Sequence, residues 1–183
     1  MKLFFTKYPA IIFCFLYICI FSSSPAISAG DFNVYIHGRL VAEPCDLVME
    51  DKELTVDFDT IIDRYLYKNV RTHPEDFNIR LINCDLGLDP TVKVGFIGAE
   101  NPNLPGFLAL DGGSTATHIG IGIQDINGRF IPINSLTPPY LLNSESNILR
   151  FQGYVEAESD AIKNRNIRLG PFTATAIFLL DYE

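Results

Sequence analysis

Histidines, cysteines and a few short acidic groups are the parts of this 183-residue chain whose types and spacing could do chemistry. His37, His73 and His118 stand far apart, and the chain has neither an HExxH helix motif nor a GxSxG nucleophile turn. Asp57, Asp59 and Asp63 cluster as cation ligands do. They lack the glycine and the distal glutamate of a calcium loop, so a solvated acidic loop is expected. Asp111-Gly112-Gly113-Ser114 has no base or phosphate-binding helix beside it and reads as a plain loop. Glu156 and Glu158 share one parity, as an acid–base pair would, but in so acidic a chain they read as surface. No catalytic residue, metal site or cofactor is expected.

The cysteines carry a structural message. Lys2 and Lys7 form a short basic head, Ala10 to Phe21 run apolar, and Ala26-Ile27-Ser28-Ala29 offers small residues to a peptidase. This is the layout of a secretory signal over residues 1–29, cleaved after Ala29 or Gly30. The apolar run is too short for the roughly 20 residues of a membrane span. Cys14 and Cys19 would leave with the signal, and Cys45 and Cys84 would remain as a pair in an oxidising compartment. Their spacing suits neither a redox CxxC nor zinc, whereas a bridge over so long a loop is worth roughly 4 kcal/mol.

Charge narrows the partners. The formal net charge is −8 and becomes more negative by two once Lys2 and Lys7 are removed. Such a chain repels phosphate backbones and anionic membranes, so nucleic acid is not expected as a partner.

What must position these residues is a set of strands. Period-two alternation recurs at Phe32–Val34–Ile36, Leu54–Val56–Phe58, Phe77–Ile79–Leu81, Val92–Val94–Phe96, Ile119–Ile121–Ile123 and Leu149–Phe151–Val155. A last run, Ala174–Ala176–Phe178–Leu180–Tyr182, reaches the end of the sequence, with Thr173, Thr175, Ile177 and Leu179 on its other face. A strand this apolar on both faces calls for cover on both. Asn127-Gly128 predicts a hairpin turn, and Ile61 to Val70 is the only helix-like stretch. Short strands separated by turn signals predict an all-β fold, an antiparallel β-sandwich. Leu81 and Cys84 differ in parity, so a bulge is expected near Ile82-Asn83.

With those residues in view, the chain resembles the subunits of chaperone–usher pili, the type 1 and P-pilus fimbrial group, and within it the minor or adaptor subunits. The features that carry the resemblance are the signal, Gly38 seven residues before Cys45, and IRLINC ending at Cys84. To these add GFIGAENPNLPGFLAL, HIGIGIQDINGRFIPI, Gly170 fourteen residues from the end, and a penultimate Tyr182. The resemblance implies an incomplete immunoglobulin-like sandwich lacking its last strand, completed by a donor strand. It divides the chain into signal 1–29, a donor-strand extension 30–37 with Phe32, Val34 and Ile36 as its inward residues, and a pilin domain 38–183. A periplasmic chaperone would bind the C-terminal strand at Gly170, Phe172, Ala174, Ala176, Phe178, Leu180 and Tyr182, with Glu183 near a basic anchor. The other implied partners are an outer-membrane usher and neighbouring pilus subunits, a tip adhesin among the candidates. The implied route is export to the periplasm and then into a fimbrium on the cell surface. The competing reading is a self-contained secreted sandwich that binds a carbohydrate or other small ligand. The absence of Trp and the scattered Tyr residues argue against it.

Overall fold

The computed structural model describes residues 44–87 and 90–183. The expected signal, the extension with Phe32, Val34 and Ile36, and Gly38 lie outside the described residues.

Eight strands occur among the described residues: β1 (Asp46–Leu47), β2 (Glu75–Ile82), β3 (Thr91–Ile97), β4 (Ile119–Asp125), β5 (Phe130–Ile131), β6 (Tyr140–Leu141), β7 (Ser146–Ala157) and β8 (Ile177–Tyr182). They form two sheets, ordered β1-β2-β7-β4-β5 and β6-β3-β8, with antiparallel pairing throughout. Two short helices, α1 (Asp63–Asn69) and α2 (Ser159–Asn164), and a 3-10 turn at Met49–Lys52 complete the architecture. The expected all-β antiparallel sandwich is the observed fold, and α1 falls inside the stretch expected to be helical.

Side-chain parity builds the core. Ile79, Leu81, Leu149, Phe151 and Val155 from one sheet meet Val92, Val94 and Phe96 from the other. Phe151 sits at the centre, fully buried, with the rings of Phe77, Phe96 and Tyr140 at 5.7, 5.2 and 6.1 Å. Burial of each such side chain is worth roughly 1.5–3 kcal/mol.

Strand β4 departs from simple alternation, because every one of its residues is buried. The loop Glu100–Leu108 folds over its outer face. Leu104 and Phe107 pack there on Tyr154 and Phe130 as a second, smaller core. Asn101 pins the loop by donating from Nδ2 to the Ile119 carbonyl at 3.0 Å and accepting from the Asn103 N–H at 2.9 Å. Gly120 and Gly122 make the approach possible, since a Cβ on Gly122 would stand 2.4 Å from Tyr154 Cζ.

The parity conflict before Cys84 is resolved at Asn83, whose φ of 53° is left-handed. The N–H groups of Asn83 and Cys84 both donate to one neighbouring segment, at Glu145 O (3.1 Å) and Ser144 O (3.0 Å). A regular strand points successive N–H groups to opposite sides, so this is the irregularity a bulge creates. It turns Cys84 inward to its disulfide with Cys45.

One ion pair, between a buried carboxylate and an exposed arginine, escaped the sequence reading. Asp51 on the 3-10 turn is buried, and its carboxylate accepts from the Arg80 backbone N–H at 2.6 Å and from Nε and Nη2 of the same side chain. The Arg80 side-chain hydrogen bonds hold the Asp51 carboxyl below its ordinary range, outweighing the opposing effect of burial. The unfolded chain therefore binds more protons around pH 4 than the folded one. This contribution is complete above the ordinary Asp pKa of about 3.9 and is lost as pH falls through the lower folded value.

Two predictions arise here. Gly122→Ala should lower stability by about 1–3 kcal/mol, measured as a shift in the urea midpoint. Asp51→Asn should lower stability at neutral pH and flatten its decline below pH 4; an unchanged acid limb would show that the pair does not set it.

Candidate interaction site along the C-terminal strand

The groups that could do chemistry are dispersed or already engaged. His73 Nε2 shares a hydrogen bond with Tyr65 Oη at 2.8 Å, and His118 Nδ1 shares one with Thr117 Oγ1 at 2.9 Å. The Asp111-Gly112-Gly113-Ser114 loop is a fastening: Asp111 accepts from the Thr175 N–H and hydroxyl, and Ser114 Oγ accepts from the Thr173 N–H. Glu156 and Glu158 are not solvated surface, which corrects the expectation. Glu158 is buried and accepts from Asn103 Nδ2 at 3.0 Å, because the Glu100–Leu108 loop covers that edge. Glu156 is half-buried, and burial raises its pKa against the pull of Arg71. No group of three or more His, Cys, Asp or Glu fit to hold a metal occurs among the described residues.

The C-terminal segment presents a different kind of site. Gly170 has φ of 148°, and a Cβ there would stand 2.7 Å from Thr115 Cβ, so only glycine opens this segment without strain. From Phe172 onward the even-numbered side chains Phe172, Ala174, Ala176, Phe178, Leu180 and Tyr182 pack on the core yet stay half-buried. The odd-numbered Ile177 and Leu179 are 71% and 47% exposed. The two-sided apolar pattern is thus covered on one face only.

Backbone pairing follows the same parity. Glu183 and Thr91 exchange both hydrogen bonds, at 3.1 and 3.3 Å, so by alternation Asp181, Leu179 and Ile177 pair with β3. Earlier in the segment, Pro171 and Thr173 carbonyls accept from Thr115 and Asp111, again odd-numbered residues. The backbone groups of Phe172, Ala174, Ala176, Phe178 and Leu180 therefore point the other way. No strand lies on that side among the described residues, since β8 is an edge of its sheet.

Facing this edge is the segment 53–61, where Leu54, Val56 and Phe58 were expected to form a strand. It belongs to no ladder among the described residues, and Asp59 within it has a left-handed φ of 49°. Val56 and Phe58 reach over Gly153 on the inner face of the larger sheet, and Phe58 stacks with Phe172 at 6.4 Å between centroids. The expected parity holds for Val56 and Phe58, both half-buried, while Leu54 is exposed. The half-buried apolar side chains of this segment and of the even-numbered C-terminal residues form an apolar seam, joined where Phe58 stacks on Phe172. At its far end, Glu183 is already in an ion pair with Lys93 of its own domain, so the side-chain anchor expected there has an internal partner.

An edge-open β-sandwich with one disulfide among the described residues is the class of molecule that this geometry defines. A family model described as "Fimbrial protein" matches residues 32–183. PmfF of Proteus mirabilis, named as a minor fimbrial subunit, is 32% identical over 148 residues, covering 80% of this chain and 81% of that protein. The fimbrial adapter PapK of Escherichia coli is 31% identical over 172 residues, covering 86% and 93%. A subunit in the solved structure of a chaperone–usher pilus superposes with a TM-score of 0.66 at 26% identity, covering 87% of this chain and all of that one. The chain belongs to the fimbrial protein family, and the resemblance read from its residues holds. It is a structural subunit of a surface fimbria and not an enzyme.

Gly170→Val should cost stability by about 1–3 kcal/mol through strain and contact with Thr115. Hydrogen exchange should show the Thr173 and Thr175 amides losing protection while the amides of β2 and β7 keep theirs. Uniform loss would mean that the glycine supports the whole fold rather than this segment.

Proposed function

We propose that this chain is a minor or adaptor subunit of a chaperone–usher pilus that assembles by donor-strand exchange. The observation that carries the reading is the outward row of backbone groups from Phe172 to Leu180, lying above half-buried core side chains. Such an edge aggregates unless a strand covers it. Adding a partner's strand is an established mode of recognition, in which main-chain hydrogen bonds supply affinity and alternate side chains enter pockets. On this reading residues 1–29 direct export to the periplasm. A periplasmic chaperone then lends a strand to the seam, and at the outer-membrane usher a neighbour's extension replaces it. Gly170, Phe172, Ala174, Ala176, Phe178, Leu180 and Tyr182 line the edge that each of these strands meets. This chain's own extension, residues 30–37, enters the neighbour's seam with Phe32, Val34 and Ile36 inward. The similarity to PapK and PmfF supports the adaptor or minor position.

Tyr182 stands opposite Val92 and packs on the core, so its removal mixes edge and core effects. A cleaner variant is Ile36→Asp, with Leu180→Asp, whose side chain also packs on the core, set beside it. Ile36→Asp should leave periplasmic levels and chaperone co-purification unchanged but abolish incorporation into pili, because a buried unpaired charge costs several kcal/mol. Leu180→Asp should abolish chaperone capture and periplasmic accumulation. A monomer that is stable without chaperone, or an Ile36→Asp variant as unstable as a core mutant, would instead favour a self-contained sandwich.

A further inference from the structure

The smaller sheet carries apolar side chains on both faces, although one of those faces lies away from the core. Even-numbered residues of β3 and β8 point inward, whereas the odd-numbered Ile97, Ile177 and Leu179 point outward and are exposed. Ile177 stands opposite Ile97, and Leu179 stands opposite Gly95. Leu136, also exposed, lies across Gly95, where a Cβ would come within 3.1 Å of its Cδ2 and 3.9 Å of Ile97 Cδ1. Ile97, Leu136, Ile177 and Leu179 thus form one outward patch. Toward the chain end the same face turns polar, with Asp181 opposite Lys93 and Lys93 paired to Glu183. Clustered apolar side chains on a solvent face, rimmed by polar ones, mark a contact surface.

The position of the patch on the sheet says what covers it. In β8 the odd-numbered residues bond to β3, and the even-numbered ones turn their backbone groups to the edge of the sheet. Every pair in both sheets is antiparallel, and a strand added in that sense exchanges hydrogen bonds with the even-numbered residues. Ile177 and Leu179 then fall at the non-hydrogen-bonded positions, where directly opposed side chains come closest. We propose that the extension of the neighbouring subunit is recognised on both of its faces. Its inward residues fill the seam, and two successive outward residues pack on Ile177 and Leu179. The inference rests on the donor-strand reading and adds the chemistry of the occupant. Those outward residues are aliphatic, β-branched or aromatic, since cross-strand pairs of these types stabilise a sheet. A ring opposite Leu179 also reaches Ile177 along the diagonal. The competing occupant is a second copy laid face to face on the patch. Four side chains fall well short of the roughly 20–30 residues a side that a specific interface uses, so the adjacent strand is the better fit.

The test is made in assembled fimbriae, where the full chain meets its own neighbours. A photoreactive benzophenone amino acid replaces Leu179 in one variant and the inward Phe178 in another, and the cross-links are mapped by mass spectrometry. Position 179 should capture an apolar residue in the N-terminal extension of a neighbouring subunit. Capture of a polar residue of that extension, of a folded domain, or of nothing while position 178 captures the extension would overturn the proposal and leave donor-strand exchange standing. Capture of no extension from either position would sink the donor-strand reading, and this inference with it. A second measurement needs no cross-linker. Ile177→Thr/Leu179→Thr keeps β-branched side chains on an exposed face and should speed release of the subunit from its donor in urea about tenfold. Ile177→Val/Leu179→Ile should leave that rate within about twofold. An unchanged rate in the threonine variant would overturn the proposal.

Discussion

Hydrogen-bond accounting at one sheet edge governs the molecule. A strand has two sets of backbone groups, and in β8 and the segment before it one set is engaged by its own domain. Odd-numbered residues bond to β3 and to the loop at Asp111–Thr115, while the even-numbered residues from Phe172 to Leu180 turn theirs outward. Buried N–H and C=O groups without partners cost as much as lost hydrogen bonds, and exposed ones template pairing with other chains. The same even-numbered residues project side chains onto the core that remain half-buried. Backbone and side-chain deficits therefore coincide, and one added strand would cancel both.

The rest of the sandwich makes that edge stand out. The outer face of β4 could have been a second open apolar surface, but the Glu100–Leu108 loop seals it with Leu104 and Phe107. The disulfide and the Asn83 turn close the end of β2, and Asp125 accepts the Asn127 and Arg129 N–H groups to cap the β4–β5 hairpin. In the described residues, polar groups that meet the core are met in turn: Asn101, Asp51 and Glu158 each have partners at hydrogen-bond distance. The C-terminal strand is a sheet edge whose even-numbered side chains pack on the core and stay half-buried.

Period-two patterning made β2, β3, β4, β7 and β8 legible, because each has a face set by burial. The Asn127-Gly128 turn was legible from its φ requirement, and Gly128 has φ of 78°. What alternation could not reveal is pairing. Leu54–Val56–Phe58 alternates as well as β3 does, yet it has no ladder among the described residues, since periodicity reports which face is buried and says nothing about a neighbour along the edge. In the sequence, Gly120 and Gly122 merely separate the alternating isoleucines Ile119, Ile121 and Ile123. Their role as a floor for another loop depends on contacts with Phe107 and Tyr154, which are distant in sequence. Asp51–Arg80 was hidden for the same reason, being an ion pair across 29 residues.

Register is the last link between sequence and assembly. A one-residue slip of β8 would exchange its two parities, sending Phe178 and Leu180 outward and Ile177 and Leu179 into the core. Three fixings prevent it. Gly170 takes a backbone angle that other residues avoid and sits tight against Thr115. Asp111 and Ser114 grip Thr173 and Thr175, and Glu183 is tied to Thr91 and Lys93 at the other end. The segment is thus held in its pairing frame by its own domain, whatever strand lies beside it. A partner strand then has only its own ordering to supply, and an edge preorganised in this way lowers the entropic cost of pairing. On the proposed donor-strand reading, the edge would take successive strands without refolding between them, because none of the contacts that set its register belongs to the side on which a partner would enter.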